Sequence, residues 1–109
     1  MTVKELLNRA DFKAVSLPVP GREINGVQVG DLLSHVMSKA RKNQAWITVI
    51  SNVNVIAVAS LTELSCIILA DGVALDPKTR EVAEEKGINV ISSELPIFET
   101  SVLLFELLK

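Results

Sequence analysis

Three stretches of this chain, Trp46–Ile50, Cys66–Ala70 and Ile88–Ile91, carry apolar side chains on both alternations rather than on one. A strand with one wet face alternates apolar and polar residues, so these runs fit strands covered on both faces. The segments between them carry helix punctuation. Asn52 or Asn54 can cap a helix through Leu64, in which Ala57, Ala59 and Ser60 allow close packing. Asp76-Pro77 sets an N-cap before a proline at the first helical position, and Gly87 supplies the expected stop. Pro96 begins a terminal helix running to Lys109. Strand and helix in strict alternation imply right-handed βαβ crossovers and a parallel sheet. The expectation is an α/β fold over residues 1–109, a single three-layer domain with a mostly parallel sheet and helices on both faces.

The first third of the chain is read from local signals. Thr2 and Glu5 have capping-box spacing, which predicts a short helix ending near Asn8–Asp11. Phe12–Leu17 reads as a short strand, stopped by Pro18, Pro20 and Gly21. Asn25-Gly26, between Glu23-Ile24 and Val27–Val29, predicts a hairpin. Asp31 is placed as the N-cap of a helix through Asn43, with Leu32, Leu33, Val36, Met37 and Ala40 as its apolar stripe. This amino-terminal part is expected to extend the sheet or to form a small lobe beside it.

Composition excludes several classes. At 109 residues the chain has room for one core, and a 49% hydrophobic share excludes intrinsic disorder. Val55–Ala59 and Cys66–Ala70 fall far short of the roughly 18 apolar residues that cross a bilayer. Met1–Ala10 carries charges where a secretory signal would be apolar. The lone Cys66 cannot form an internal disulfide, and a cytoplasmic location is expected. A net charge of −2 argues against a dedicated nucleic-acid binder. Lys39, Arg41 and Lys42 beside Trp46 are accounted for by the negative end of the preceding helix.

Candidate sites follow from the expected topology. Ligands of open α/β sheets bind beyond the carboxyl ends of the strands, where helix N-termini offer free N–H groups to anions. That edge collects Ser51, Asn52 and Asn54 after the first parallel strand, Asp71 and Gly72 after the second, and Ser92 and Ser93 after the third. The same residue types are also ordinary caps and turn formers. The five glycines match no phosphate-binding loop, which removes a kinase reading, and no paired acid–base or nucleophile constellation around His35 or Asp71 supports another catalytic assignment. His35, the single histidine, is expected on a solvated face, and Cys66 in the core; no metal site and no cofactor are expected. Arg22 is either an anion or partner contact or an exposed turn residue.

The terminal helix is apolar around more of its circumference than one buried stripe requires. Phe98, Val102, Leu103, Phe105 and Leu107 are therefore read as a candidate homodimer interface, the alternative being a helix enclosed by its own domain.

Several segments together resemble a known family. They are Gly30–Ser34, Val36-Met37, Trp46–Val49 and Asn54–Leu61, with Ile67-Ile68, Asp76-Pro77, Gly87-Ile88 and Phe98-Glu99 in the same pattern. From about Arg22 onward the chain resembles small stand-alone DRTGG-domain proteins, which are similar to the amino-terminal domain of HPr kinase/phosphorylase. The resemblance implies an α/β fold, frequent dimerisation and a regulatory or ligand-sensing role without established chemistry, while the three helix starts at the carboxyl edge point to a nucleotide or other anionic metabolite as the ligand. It also implies, as an alternative, an accessory role beside a redox enzyme of the hydrogenase type. Where the name-giving Asp-Arg falls this chain has Asn52-Val53, and where Thr-Gly-Gly falls it has Ala70-Asp71-Gly72.

Overall fold

The computed structural model describes residues 1–109. The chain forms α1 (Val3–Leu6), β1 (Phe12–Ser16), β2 (Val27–Val29), α2 (Leu33–Lys39) and β3 (Ala45–Thr48). Then follow α3 (Val53–Leu61), β4 (Cys66–Leu69), α4 (Pro77–Glu85), β5 (Val90–Ser93) and α5 (Ile97–Leu107). One sheet runs β1-β5-β4-β3-β2, parallel from β2 to β5 with β1 antiparallel at the edge.

The double-sided apolar strands have the predicted cause. Trp46, Ile67, Leu69 and Val90 pack on one face against α2, α3 and α4. Ala45, Ile47, Cys66, Ile68 and Ile91 pack on the other against α1, Phe12 and Leu104 of α5. Ile67 and Ile68 are both fully buried on opposite faces, and each contributes roughly 1.5–3 kcal/mol relative to exposure. The Lys42–Glu63 pair, 3.5 Å apart in solvent, is worth under about 1 kcal/mol. The sheet's two cores, not surface charge, hold the fold.

Local punctuation is obeyed at several ends. Thr2 and Glu5 form the capping box. Asp76 caps α4, with Pro77 at its first position. At the other end of α4, Gly87 takes φ +72° while its N–H donates to Glu84 O at 3.3 Å and the Ile88 N–H to Ala83 O at 2.8 Å. That paired pattern closes a helix on a left-handed residue. No helix is long and apolar enough to cross a membrane.

The structure corrects four local expectations. Asn25-Gly26 makes no hairpin: the favoured two-residue turn needs positive φ at both residues, and Asn25 has none. Its flanks pair elsewhere, Glu23 bridging Thr2 and Val27–Val29 lying parallel to β3. Asp31 caps no helix. Its carboxylate accepts from Thr48 Oγ1 at 2.7 Å and from the Val49 N–H at 2.9 Å, so α2 starts two residues later without a side-chain cap. Because α2 is only seven residues long, Val36 alone of its stripe is fully buried, and Leu32 and Met37 face solvent. Lastly, β5 runs two residues later than expected, because Asn89 is used as a brace. Its side chain accepts from the Val19 N–H and donates to the carbonyls of Val19 and Ser65.

Candidate functional site

β2, β3 and β4 all connect forward through α2, α3 and α4, which cover the same sheet face. After β5 the chain crosses to the opposite face and enters α5. A crevice opens beyond the carboxyl ends of parallel strands where neighbouring connections part to opposite faces. Here that place lies between β4 and β5. Asp71 and Gly72, at φ +58° and +65°, form a tight turn closed by the Val73 N–H on Ala70 O at 3.1 Å. The turn then fills the crevice: the Asp71 N–H donates to Leu95 O at 2.8 Å and the Gly72 N–H to Ser93 O at 2.9 Å. A Cβ at position 72 would stand 2.7 Å from Glu94 Oε2, so glycine is what lets this carboxylate lie against the turn.

The seven carboxyl-edge candidates therefore separate. Ser93 belongs to β5 and is fully buried; its Oγ accepts from the Leu95 N–H and shares a hydrogen bond with Thr100 Oγ1 at 2.9 Å. It fastens α5 to the sheet. Ser92 opens instead toward a 210 Å³ cleft shared with Asp11, Lys13 and Glu94 on the β1 side. Ser51 is half-buried in the loop after β3, and Asn54 is exposed on the first turn of α3.

The expectation of open N–H cradles at three helix starts is corrected as well. The Asn52 side chain accepts from the Asn54 N–H at 2.9 Å. Asp76 accepts from the Thr79 N–H and from Thr79 Oγ1, both at 2.8 Å. These bonds, the backbone one foremost, hold the Asp76 carboxyl below its ordinary value of 3.8. Of these three starts, α5, entered at Pro96, is the one without a side-chain cap.

Between the starts of α3 and α4 a cleft of 380 Å³ remains, lined by Asn52, Val53, Asp76, Lys78, Thr79 and Val82. Lys78 brings a cation to it and makes no ion pair within the fold. Sequence reasoning missed Lys78 and Thr79. The Asp76-Pro77 signal placed them on the first turn of α4, but only the α3–α4 packing shows that they face Asn52.

The remaining singled-out residues have plain roles. His35 is exposed on α2. Cys66 is fully buried in β4, and burial pushes its thiol up to about 12, so it is no nucleophile. No group of three or more His, Cys, Asp or Glu side chains gathers to hold a metal. Arg22 is half-buried and binds its own chain: its guanidinium donates to Asn43 Oδ1 at 3.3 Å and to Glu63 O at 2.6 Å. Its Nε and Nη2 donors are thus committed to the protein's own oxygens.

On α5 the candidate interface splits by side. Leu103 and Leu107 turn inward and pack against the core, which corrects their assignment to an outer surface. Phe98, Val102 and Phe105 are 72%, 44% and 64% exposed. With Val27 and Val29 of β2 they line an apolar groove of about 550 Å³ along the sheet edge.

Comparison with known proteins agrees with this architecture. The fold is similar to that in the crystal structure of the CBS and DRTGG domains of the regulatory region of Clostridium perfringens pyrophosphatase, complexed with its activator diadenosine tetraphosphate. The TM-score is 0.70 at 16% identity, over 94% of this chain and 45% of that one. The chain thus spans less than half the length of that neighbour, and the likeness at this identity is one of fold. No curated protein matches. The DRTGG domain family model matches residues 22–107, from Arg22 before β2 to the end of α5. The chain belongs to the DRTGG domain family.

Proposed function

We propose that this chain is a non-catalytic regulatory module that senses an anionic, nucleotide-type ligand at the carboxyl edge of its sheet. The observation that carries this reading is the cleft of 380 Å³ between the starts of α3 and α4, where the unpaired Lys78 stands with Asn52, Asp76 and Thr79. Lys78 supplies the cation of this cleft. Because Asn52 and Asp76 already cap the two helix starts and the Asp76 carboxylate is bonded to Thr79, an anion there is held by the lysine ammonium group rather than by free helix N–H groups. Asp71 and Gly72 frame the same edge as a closed turn rather than as ligand contacts. The fold neighbour, a regulatory region in complex with a dinucleoside tetraphosphate, supports a sensing role for this architecture. The non-catalytic half of the reading draws on His35 lying exposed on α2 and on Cys66 being sealed in the core. An accessory role beside a redox enzyme rests on the family resemblance alone.

Calorimetry and thermal unfolding with ATP, ADP, AMP, diadenosine tetraphosphate and inorganic phosphate test the reading. A ligand at a hundred times its Kd stabilises the folded state by about 2.7 kcal/mol, a Tm rise of roughly 10 °C or more for a domain of this size. Lys78→Glu, on an exposed side chain, should abolish that rise while leaving the ligand-free Tm within a degree or two. No stabilisation by any of these ligands would overturn the sensing role, and an undiminished response in Lys78→Glu would overturn the site. The nucleotides should be recovered chemically unchanged.

A further inference from the structure

The two edges of the sheet differ in how they are protected. β1 presents the exposed Lys13, has a register irregularity between Ala14 and Ser16, and runs on into Pro18 and Pro20. Charge, bulge and proline are the usual devices that keep an edge strand from pairing with another chain. β2, at the other edge, is Val27-Gln28-Val29 between Gly26 and Gly30, with none of these devices. The Gly26 carbonyl accepts from the Ala45 N–H at 2.9 Å, and the Gly30 N–H donates to Ile47 O at 3.2 Å. Backbone groups alternate sides along a strand, so positions 26, 28 and 30 face β3 while Val27 and Val29 point outward. The outward Val29 carbonyl accepts only a long, weak bond from Gln28 Nε2 at 3.4 Å. Directly over this bare edge stand Phe98, Val102 and Phe105.

From edge and face together we infer that a second copy of the chain docks here, with the two β2 strands antiparallel about a twofold axis at Gln28. In that register Val27 lies opposite Val29 of the partner subunit, and the reverse. Each such pair exchanges both backbone hydrogen bonds, while the two Gln28 residues face each other as the non-hydrogen-bonded pair. The twofold and the ladder therefore agree without any shift of register, and the two five-stranded sheets become one. The same operation brings the α5 faces together. An aromatic side chain carries roughly 150–250 Å², so Phe98 and Phe105 with Val102 and Val29 offer on the order of 400 Å² of apolar surface per copy. With the strand pairing and rim added, a symmetric contact reaches the roughly 1,200 Å² at which specific interfaces begin.

The test is the mass in solution combined with amide exchange on the full chain. Light scattering at tens of micromolar should give twice the chain mass, and the Val27 and Val29 amides should exchange slowly, with protection that weakens on dilution. The double variant Phe98→Asp/Phe105→Asp, and separately Gln28→Lys, should give folded monomers by circular dichroism with both amides exchanging freely. A monomeric wild-type chain would overturn the inference and leave the face to a partner of another kind. A dimer with unprotected Val27 and Val29 amides, or one that survives all these substitutions, would overturn it too. Ligand binding at Lys78 stands or falls separately.

Discussion

Asp31 offers the sharpest test of how this fold is braced. Its carboxylate leaves the end of β2 and accepts from Thr48 Oγ1 at 2.7 Å and from the Val49 N–H at 2.9 Å, pinning the β2–α2 connection to the end of β3. Hydrogen bonds to a charged group are worth roughly 1.5–3 kcal/mol each. In Asp31→Ala the Val49 N–H lies in the exposed part of the bond and regains water. Thr48 is fully buried, so its hydroxyl loses its acceptor with no replacement. The expected cost is therefore about 2–3 kcal/mol rather than the sum of two full bonds. A helix N-cap, the role the local sequence suggests, would cost about 1 kcal/mol, a difference too small to decide by itself. The coupling decides. Thr48→Val removes the same hydroxyl, so a double-mutant cycle of Asp31→Ala with Thr48→Val should show an interaction energy of about 1–2 kcal/mol. A cap would show none. Urea unfolding of the four proteins, with equal m values as the check on two-state behaviour, measures it. A coupling below about 0.5 kcal/mol would refute the brace and return Asp31 to the helix.

Other outcomes follow from the same geometry. Gly87→Ala places a Cβ 3.9 Å from Val19, so there is room, but φ +72° strains any L side chain; the loss should be about 1 kcal/mol, with Gly87→Asn losing less, by thermal unfolding. Asp76 has a lowered folded-state pKa, so its stabilising effect is fully present above the ordinary 3.8 and is lost as pH falls through the lower folded value. Its carboxyl resonance should titrate below 3.8, and Thr79→Val should move that midpoint back up. Cys66, buried and pushed up to about 12, should resist thiol reagents at pH 8 until the chain is unfolded in denaturant; fast labelling of the native protein would contradict its burial.

Elements were legible wherever the signal was local or two-sided. The apolar runs at Trp46–Ile50 and Cys66–Ala70 announced strands covered on both faces, and the structure puts Ile67 and Ile68 in separate cores. Asp76-Pro77 and Gly87 marked the ends of α4 because capping chemistry is contained within a few residues. Asn25-Gly26 and Asp31 misled for the opposite reason. Their local preferences are worth about a kilocalorie or so, less than parallel pairing of β2 with β3 and the bonds to Thr48 and Val49 together provide.

The candidate site divides the same way. Ser51, Asn52, Asn54, Asp71 and Gly72 do lie beyond the ends of β3 and β4, since strand ends and helix starts can be read from periodicity and caps, whereas Ser92 and Ser93 fall inside β5. What sequence could not settle was which of them meet. Ser93 is consumed by Thr100 and Leu95, Ser92 faces Lys13, and Asn52 faces Lys78 across two helices. So the chain by itself determined an α/β sheet, its buried strands and an over-apolar final helix, because each is a pattern in neighbouring residues. Only the tertiary structure decided that α2, α3 and α4 share one face and α5 the other. That choice closes the β4–β5 crevice, opens the α3–α4 cleft and leaves Phe98 and Phe105 over a bare edge, because contacts between elements depend on packing that no single segment encodes.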